Sequence, residues 1–300
     1  MAGSATPAAR RGATRVAGLL LAAGLGAAVP AAAGAERPAR IASLNLCADE
    51  LVLRLADPGQ VASVTFLARD PATSNVAALA QQVPVNRGLA EEIVPLKPDL
   101  VVVGAYTTRT TTAMLRRLGL PVLELAAPQS VAEAYAQIRL VAGRMGVPER
   151  GEAMVAQMEA AFAALPPPPA RPPEAIVLRP NGFTAGRDTL AGEVMARAGL
   201  DNLAARLSTD RLGQLVLEEI VTARPDLLVV NAADGAPPSL ADEMLRHPAL
   251  APLRRAGAAV PLPIRLWTCA GPELAEAAAR LAAARAQMPG AGAPRQHAAR

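Results

Sequence analysis

Cys47 in "NLCADE" and Cys269 in "WTCAGPE" are the only two cysteines in the 300-residue chain. A lone pair of thiols invites a disulfide wherever the compartment is oxidising, because such compartments leave few thiols free. Two free, half-buried thiols fit the sequence nearly as well, since a covalent tie across a moving cleft would restrict its closure. The two histidines, His247 and His297, are too few for a His-rich zinc cluster. His297 lies in a polar tail and His247 follows a helical pattern in "LRHPAL", so a Ser-His-Asp triad would have only His247 as its base. No GxGxxG follows the first strand pattern, where "SLNLCADE" stands instead. "GRDTLAGE" contains glycines but lacks the spacing of a phosphate-binding loop. Catalytic, dinucleotide and metal-ligating patterns are therefore unsupported.

Binding chemistry fares better. The chain has six aromatic residues, and Phe66, Tyr106, Phe183 and Trp267 each fall at or just beyond the end of a predicted strand. Tyr135 and Phe162 lie inside helical patterns, where core packing accounts for them. Aromatic residues often cap a sheet edge, but two per half of the chain point to a shared, aromatic-lined cleft. Asn45, Arg69, Arg87, Asn181, Arg187 and Arg265 fall in the same loops. The arginines among them have the geometry to receive a ligand carboxylate or phosphate. Loops beyond the carboxyl ends of parallel strands are where open α/β sheets bind ligands.

The elements that must position these residues follow from hydrophobic periodicity. "RIASLN" (Arg40–Asn45), "VASVT" (Val61–Thr65), "DLVVVGA" (Asp99–Ala105) and "PVLEL" (Pro121–Leu125) read as strands, with helical stretches such as "CADELVLRLA" between them. That alternation predicts βαβ units and a parallel sheet. From Ser130 to Leu165 two helical patterns follow one another, broken at Gly146-Val147-Pro148, and "PPPPARPP" (Pro166–Pro173) ends the second. "AIVLR", "DLLVVNA" and "AAVPLPIRL" then restart the strand–helix pattern. "AEEIVPLKPDLVVVGA" (Ala90–Ala105) and "LEEIVTARPDLLVVNA" (Leu217–Ala232) agree at ten of sixteen positions, 127 residues apart. A chain of two similar lobes explains that duplication.

Composition sets the outer limits. At 52% hydrophobic and 19% charged the chain can bury a core. Its formal charge of +4 includes Arg10, Arg11 and Arg15; without these three, 27 basic face 26 acidic groups, and no basic run interleaves with aromatics. Nucleic acid is thus not an expected partner. The three arginines precede an apolar run (Val16–Val29) and the small residues "AGA" (Ala33–Ala35), which predicts an export signal cleaved after Ala35. The pair Arg10-Arg11 raises the twin-arginine route, but Gly12-Ala13-Thr14 lacks the apolar residues expected behind it, which favours general export. No cysteine stands near the cleavage site to carry a lipid. The expected organisation is a signal peptide (1–35), an N-terminal lobe (36–129), connecting helices (130–165), a Pro-rich spacer (166–173), a C-terminal lobe (174–288) and a tail (289–300).

From about Arg40 to Met288 the chain resembles the ABC-transporter periplasmic binding proteins for iron complexes and vitamin B12. The resemblance rests on "RIASLNLCADELVLRL", "LAEEIVPLKPDLVVVG" with its second-lobe partner, "NGFTAGRDTL" and "RLWTCAGPE". It implies an α/β fold of two Rossmann-like lobes with parallel-rich sheets, joined by a long backbone helix, of the class III periplasmic binding protein type. It further implies a metal chelate (ferric siderophore, corrinoid or haem) held between the lobes with little hinge motion, and no cofactor or catalysis. An ABC permease dimer is the implied partner of a monomeric, soluble periplasmic protein, docked through one surface glutamate per lobe, Glu91 and Glu218. The alternative is a periplasmic enzyme, cofactor-binding protein or sensor on the same two-lobed frame, since folds host unrelated functions.

Overall fold

The computed structural model describes residues 37–105, 107, 109–186, 188–207, 213–232, 240–255 and 257–288. The proposed signal peptide with its cleavage site, the tail, Tyr106 and Arg187 lie outside these residues. The described residues belong to one compact unit.

The first lobe runs β1 (Ile41–Ser43), α1 (Leu46–Leu55), β2 (Val61–Thr65), α2 (Ala77–Ala80), β3 (Val85–Asn86), α3 (Ala90–Ile93), β4 (Leu100–Gly104), α4 (Arg109–Arg117) and β5 (Val122–Leu125). Its sheet has the order β3-β2-β1-β4-β5, with every pair parallel. Two helices follow, α5 (Val131–Arg144) and α6 (Pro148–Ala163). The second lobe runs β6 (Glu174–Leu178), α7 (Leu190–Arg197), β7 (Asp201–Asn202), α8 (Leu217–Ala223), β8 (Leu227–Ala232), α9 (Glu243–Arg246), α10 (Ala251–Arg255), β9 (Ala259–Pro263), α11 (Arg265–Thr268) and α12 (Glu273–Ala286). Its sheet is parallel in the order β7-β6-β8-β9. In both lobes the chain first steps outward on one side and then returns to the other. The order therefore reverses beside β1 in the first sheet and beside β6 in the second, and such switch points open a crevice at the strand ends.

The sequence repeat is a structural repeat. Ile41 pairs with Leu100, and Ala175 pairs with Leu227, the matching position 127 residues on. The Asp99 carboxylate accepts the N–H groups of Ala39 and Arg40 at 2.8 Å, and that of Asp226 accepts the N–H of Glu174 at 2.9 Å. Each aspartate thus satisfies the backbone where the neighbouring strand begins. Each helical segment of the repeat ends at a cationic residue in the left-handed region, the 3-10 turn Val94–Leu96 that continues α3 at Lys97 (φ 48°) and α8 at Arg224 (φ 49°). The Pro-Asp-Leu vocabulary is explained by the fold itself.

The bridging element is α6. Ser130 caps α5 by accepting the N–H of Glu133, and Pro148 opens α6 where its missing N–H costs nothing. Near its start Arg150 donates to the carbonyl of Leu55 (2.7 Å) and pairs with Asp57, both in lobe one. Twelve residues later, about 18 Å along the axis, Phe162 lies under the Arg197 guanidinium of lobe two, 4.8 Å from ring centroid to cation. One apolar core runs through this bridge: Leu51 and Leu55, then Ile138 and Val155, then Met158, Met195 and Leu281. Burying a side chain of this size stabilises by about 1.5–3 kcal/mol, so the lobes share core and backbone alike. The Pro-rich spacer is fastened to lobe two by Arg285, which donates to the carbonyls of Pro167 and Ala198.

Candidate functional site

The loops at the carboxyl ends of the two sheets meet. Cys47, just after β1, is joined to Cys269, just after α11, with Cα atoms 5.0 Å apart. The open question of the two thiols is thereby decided in favour of a disulfide across the lobes. Beside it, Arg54 of α1 binds Glu273 of α12 at 2.6 Å and Glu50 at 3.3 Å. Glu50 also accepts the side-chain and main-chain N–H groups of Asn75. Asn75 in turn donates to the Arg265 carbonyl (2.8 Å) and accepts from its guanidinium (3.0 Å). Elsewhere at the same edges Glu193 of α7 accepts the first N–H of α5 at Val131, at 2.7 Å. Burial pushes the Glu273 carboxyl above its usual range, against the pull of the Arg54 cation.

Asn45 stands at the switch point of lobe one, and its side-chain oxygen is committed there. Its Oδ1 caps α1 by accepting the N–H groups of Cys47 (3.0 Å) and Ala48 (3.3 Å). Gly104 makes room for it, since a Cβ there would lie 2.6 Å from the Asn45 Cγ. Phe66 follows β2 with 54% of its surface exposed, and Phe183 in the loop after β6 is 37% exposed. Both rings are open at the strand ends, as expected for them from the sequence.

Three expectations change. Arg69 donates to the carbonyls of Ala80 (3.1 Å) and Val83 (2.8 Å), so its guanidinium fastens its own loop and is not free for an anion. Arg265 is tied to Asn75 across the lobes and so belongs partly to the seam. Trp267, expected on a cleft wall, is 3% exposed and sits in the shared core. The reason is local: the strand ends at Pro263, and the one-turn helix α11 that follows rotates the indole inward. Arg87 is exposed, and among the described residues its side chain has no ion-pair partner.

Glu91 and Glu218 both occupy the first turn of their helix and both are exposed. Their neighbour Glu92 is used locally, accepting the N–H groups of Arg87 and Leu89. No hydrogen bond or ion pair among the described residues engages Glu91 or Glu218. The fold thus accounts for the repeated aspartates and not for the repeated glutamates.

Sequence reasoning passed over Glu50, Arg54, Asn75 and Glu273, the polar seam, because acids and arginines at helical spacing ordinarily face water. It also passed over Arg179, the residue that ends the β6 pattern. Its Nε is buried with no hydrogen-bond partner. Burial pulls its guanidinium below the usual arginine range. A shallow depression lined by Arg37, Asp57 and Gln60 lies at the opposite, amino edge of the first sheet. No group of three or more His, Cys, Asp or Glu side chains suited to a metal ion occurs among the described residues. No described helix is long and apolar enough to cross a membrane.

A model of the periplasmic binding protein family matches residues 41–259. A cobalamin-binding protein of Halobacterium salinarum is 28% identical over 203 residues, 66% of this chain and 55% of its own length, so the chain spans little more than half of that curated relative. Among solved structures, the apo periplasmic heme-binding protein RhuT from Roseiflexus sp. RS-1 matches at 29% identity with a TM-score of 0.66, over 82% of this chain and 97% of that one. The periplasmic vitamin B12 binding protein BtuF of Vibrio cholerae shares the fold at a TM-score of 0.61 and 16% identity, over 82% and 96% of the two chains. Two parallel-sheet lobes, a helical bridge and a family match across most of the chain agree: this chain belongs to the periplasmic binding protein family, with the class III architecture.

Proposed function

We propose that the chain is the substrate-binding component of an ABC importer. It captures an iron-siderophore, corrinoid or haem-type chelate between its lobes and delivers it to the permease without catalysis. The observation that carries this reading is the meeting of the two carboxyl edges across the Cys47–Cys269 seam, which makes one inter-lobe crevice out of two switch points. The names of the similar proteins, which include heme- and cobalamin-binding proteins, support a ligand of this class of chelates. Glu91 and Glu218 are the docking carboxylates, one per lobe, that meet basic residues on the two halves of a permease dimer. The protein works as a monomer in the periplasm after export and cleavage behind Ala35. Absorbance titration of the purified chain with haemin, cyanocobalamin and ferrichrome tests the reading. Saturable one-to-one binding of at least one of them is expected, and binding of none would refute it.

A further inference from the structure

Arg179 occupies the switch point of the second sheet, and its place is fixed by the internal symmetry of the fold. Ile41 and Ala175 face equivalent residues of the repeat, Leu100 and Leu227. Counting four residues on from each, Asn45 and Arg179 hold matching positions at the ends of β1 and β6. The Asn45 side-chain oxygen is spent on capping α1. The Arg179 guanidinium has no such employment.

Its backbone is held firmly. The Arg179 N–H donates to the Phe183 carbonyl at 2.8 Å, and the Arg179 carbonyl accepts from Gly182 at 3.1 Å. Asn181 within this turn is left-handed at φ 61°, and a Cβ on Gly182 would lie 2.8 Å from the Leu215 carbonyl oxygen. Thr184 ties the loop back to the carbonyl of Val177 at 2.7 Å. A turn this constrained fixes the backbone from which the Arg179 side chain leaves, and Phe183, whose ring is 37% exposed, closes the same turn.

What distinguishes Arg179 is the contrast with the other enclosed arginines. Arg54 is paired with Glu50 and Glu273, Arg69 fastens two carbonyls, and Arg285 does the same for Ala198 and Pro167. Arg179 alone among these has a buried nitrogen with nothing to donate to, and no carboxylate offsets its desolvation. A guanidinium does not shed its proton to escape this cost, and an unmet buried donor is expensive. An oxyanion reaching this guanidinium would supply the acceptor that the chain itself does not.

We propose that Arg179 receives an acidic group of the ligand, a carboxylate or phosphate, on the second-lobe wall of the crevice, and that the chelate is accordingly an anionic one. This rests on the chelate-binding reading above. The planar fork of arginine suits both oxyanions in bidentate fashion. The carboxylate could belong to a haem-type macrocycle or to a carboxylate siderophore, and the phosphate to a corrinoid. Four probes separate these sources: haemin, its dimethyl ester, a ferric citrate-type siderophore, and cyanocobalamin compared with phosphate-free cobinamide.

The experiment titrates the mature wild-type chain and the variants Arg179→Gln and Arg179→Lys, with circular dichroism to verify folding. For the source the site is built for, the wild type should prefer the acidic probe over its neutralised counterpart, or over ferrichrome in the siderophore case, by roughly tenfold or more. Arg179→Gln should erase that preference, and Arg179→Lys should retain part of it. Equal affinity of wild type and a folded Arg179→Gln for the acidic probe would overturn the inference while leaving the binding function intact. Indifference of the wild type to neutralisation would overturn it even if the variants fail to fold. Binding of no probe by the wild type would overturn both.

Discussion

Cys47 and Cys269 are joined across the two lobes with their Cα atoms 5.0 Å apart and 222 residues between them in sequence. The tie lies at the carboxyl edges of the two sheets, and α6 already connects the same lobes through Arg150 and Phe162. Lobes held at both these points have little freedom to hinge, so a ligand taken up between them, as proposed, would enter a largely preformed site.

Reduction should therefore loosen the rim and lower stability. Closing so long a loop contributes on the order of 2–4 kcal/mol. Scanning calorimetry should show a lower Tm for wild type under reductant, and a similar drop for Cys269→Ser that reductant does not deepen. No difference between oxidised and reduced wild type would contradict this.

Removing the cation of the seam should be worse than removing one of its acids. Arg54 stands between Glu50, 1% exposed, and Glu273, 18% exposed. Arg54→Ala would leave two enclosed carboxylates facing each other, a loss of about 3–5 kcal/mol by analogy with other broken buried pairs. Glu273→Gln keeps the shape and lifts one negative charge, so it should cost much less. Urea denaturation of the two variants gives the comparison.

Stability should fall between acid and neutral pH. Burial pushes the Asp49 carboxyl up to about 7 from its ordinary 3.8, outweighing the hydrogen bonds from Ser43 and Thr65 that hold it down. The folded chain then keeps a proton that the unfolded chain has lost. That contribution is full below about pH 4, declines as pH rises and is gone above about 7. Glu273, also raised by burial, acts in the same direction. Asp49→Asn, which cannot ionise, should flatten most of the slope in denaturation curves taken across this range.

Exposed charges steer and register partners more than they add affinity. Glu91→Ala combined with Glu218→Ala should accordingly leave folding and ligand affinity near wild type while impairing uptake in cells. Normal uptake, or lost ligand binding, would remove the docking role.

Much of this frame was legible in the sequence because strands such as Val61–Thr65 and the break at Gly146-Val147-Pro148 carry their own signals. The strands β3 and β7, two residues each, have no period to read. Asn86 shows why such a segment still matters: its buried amide donates to the Ser43 carbonyl and the Ser63 hydroxyl. At the site, position along the chain located Phe66 and Phe183 but could not foresee the turn that buries Trp267. Glu50 was illegible for another reason: Arg54 is its neighbour one helical turn on, but Asn75, 25 residues away, reaches it only once the chain has folded.

The central claim, capture of a metal chelate between two lobes, is tested most directly by native mass spectrometry of the protein recovered from the periplasm of cells grown with haemin, cobalamin and ferric siderophore. A chain starting at Glu36 that carries one iron or cobalt chelate is the expected species. A chain recovered only without ligand, or with a metal-free one, would contradict the claim.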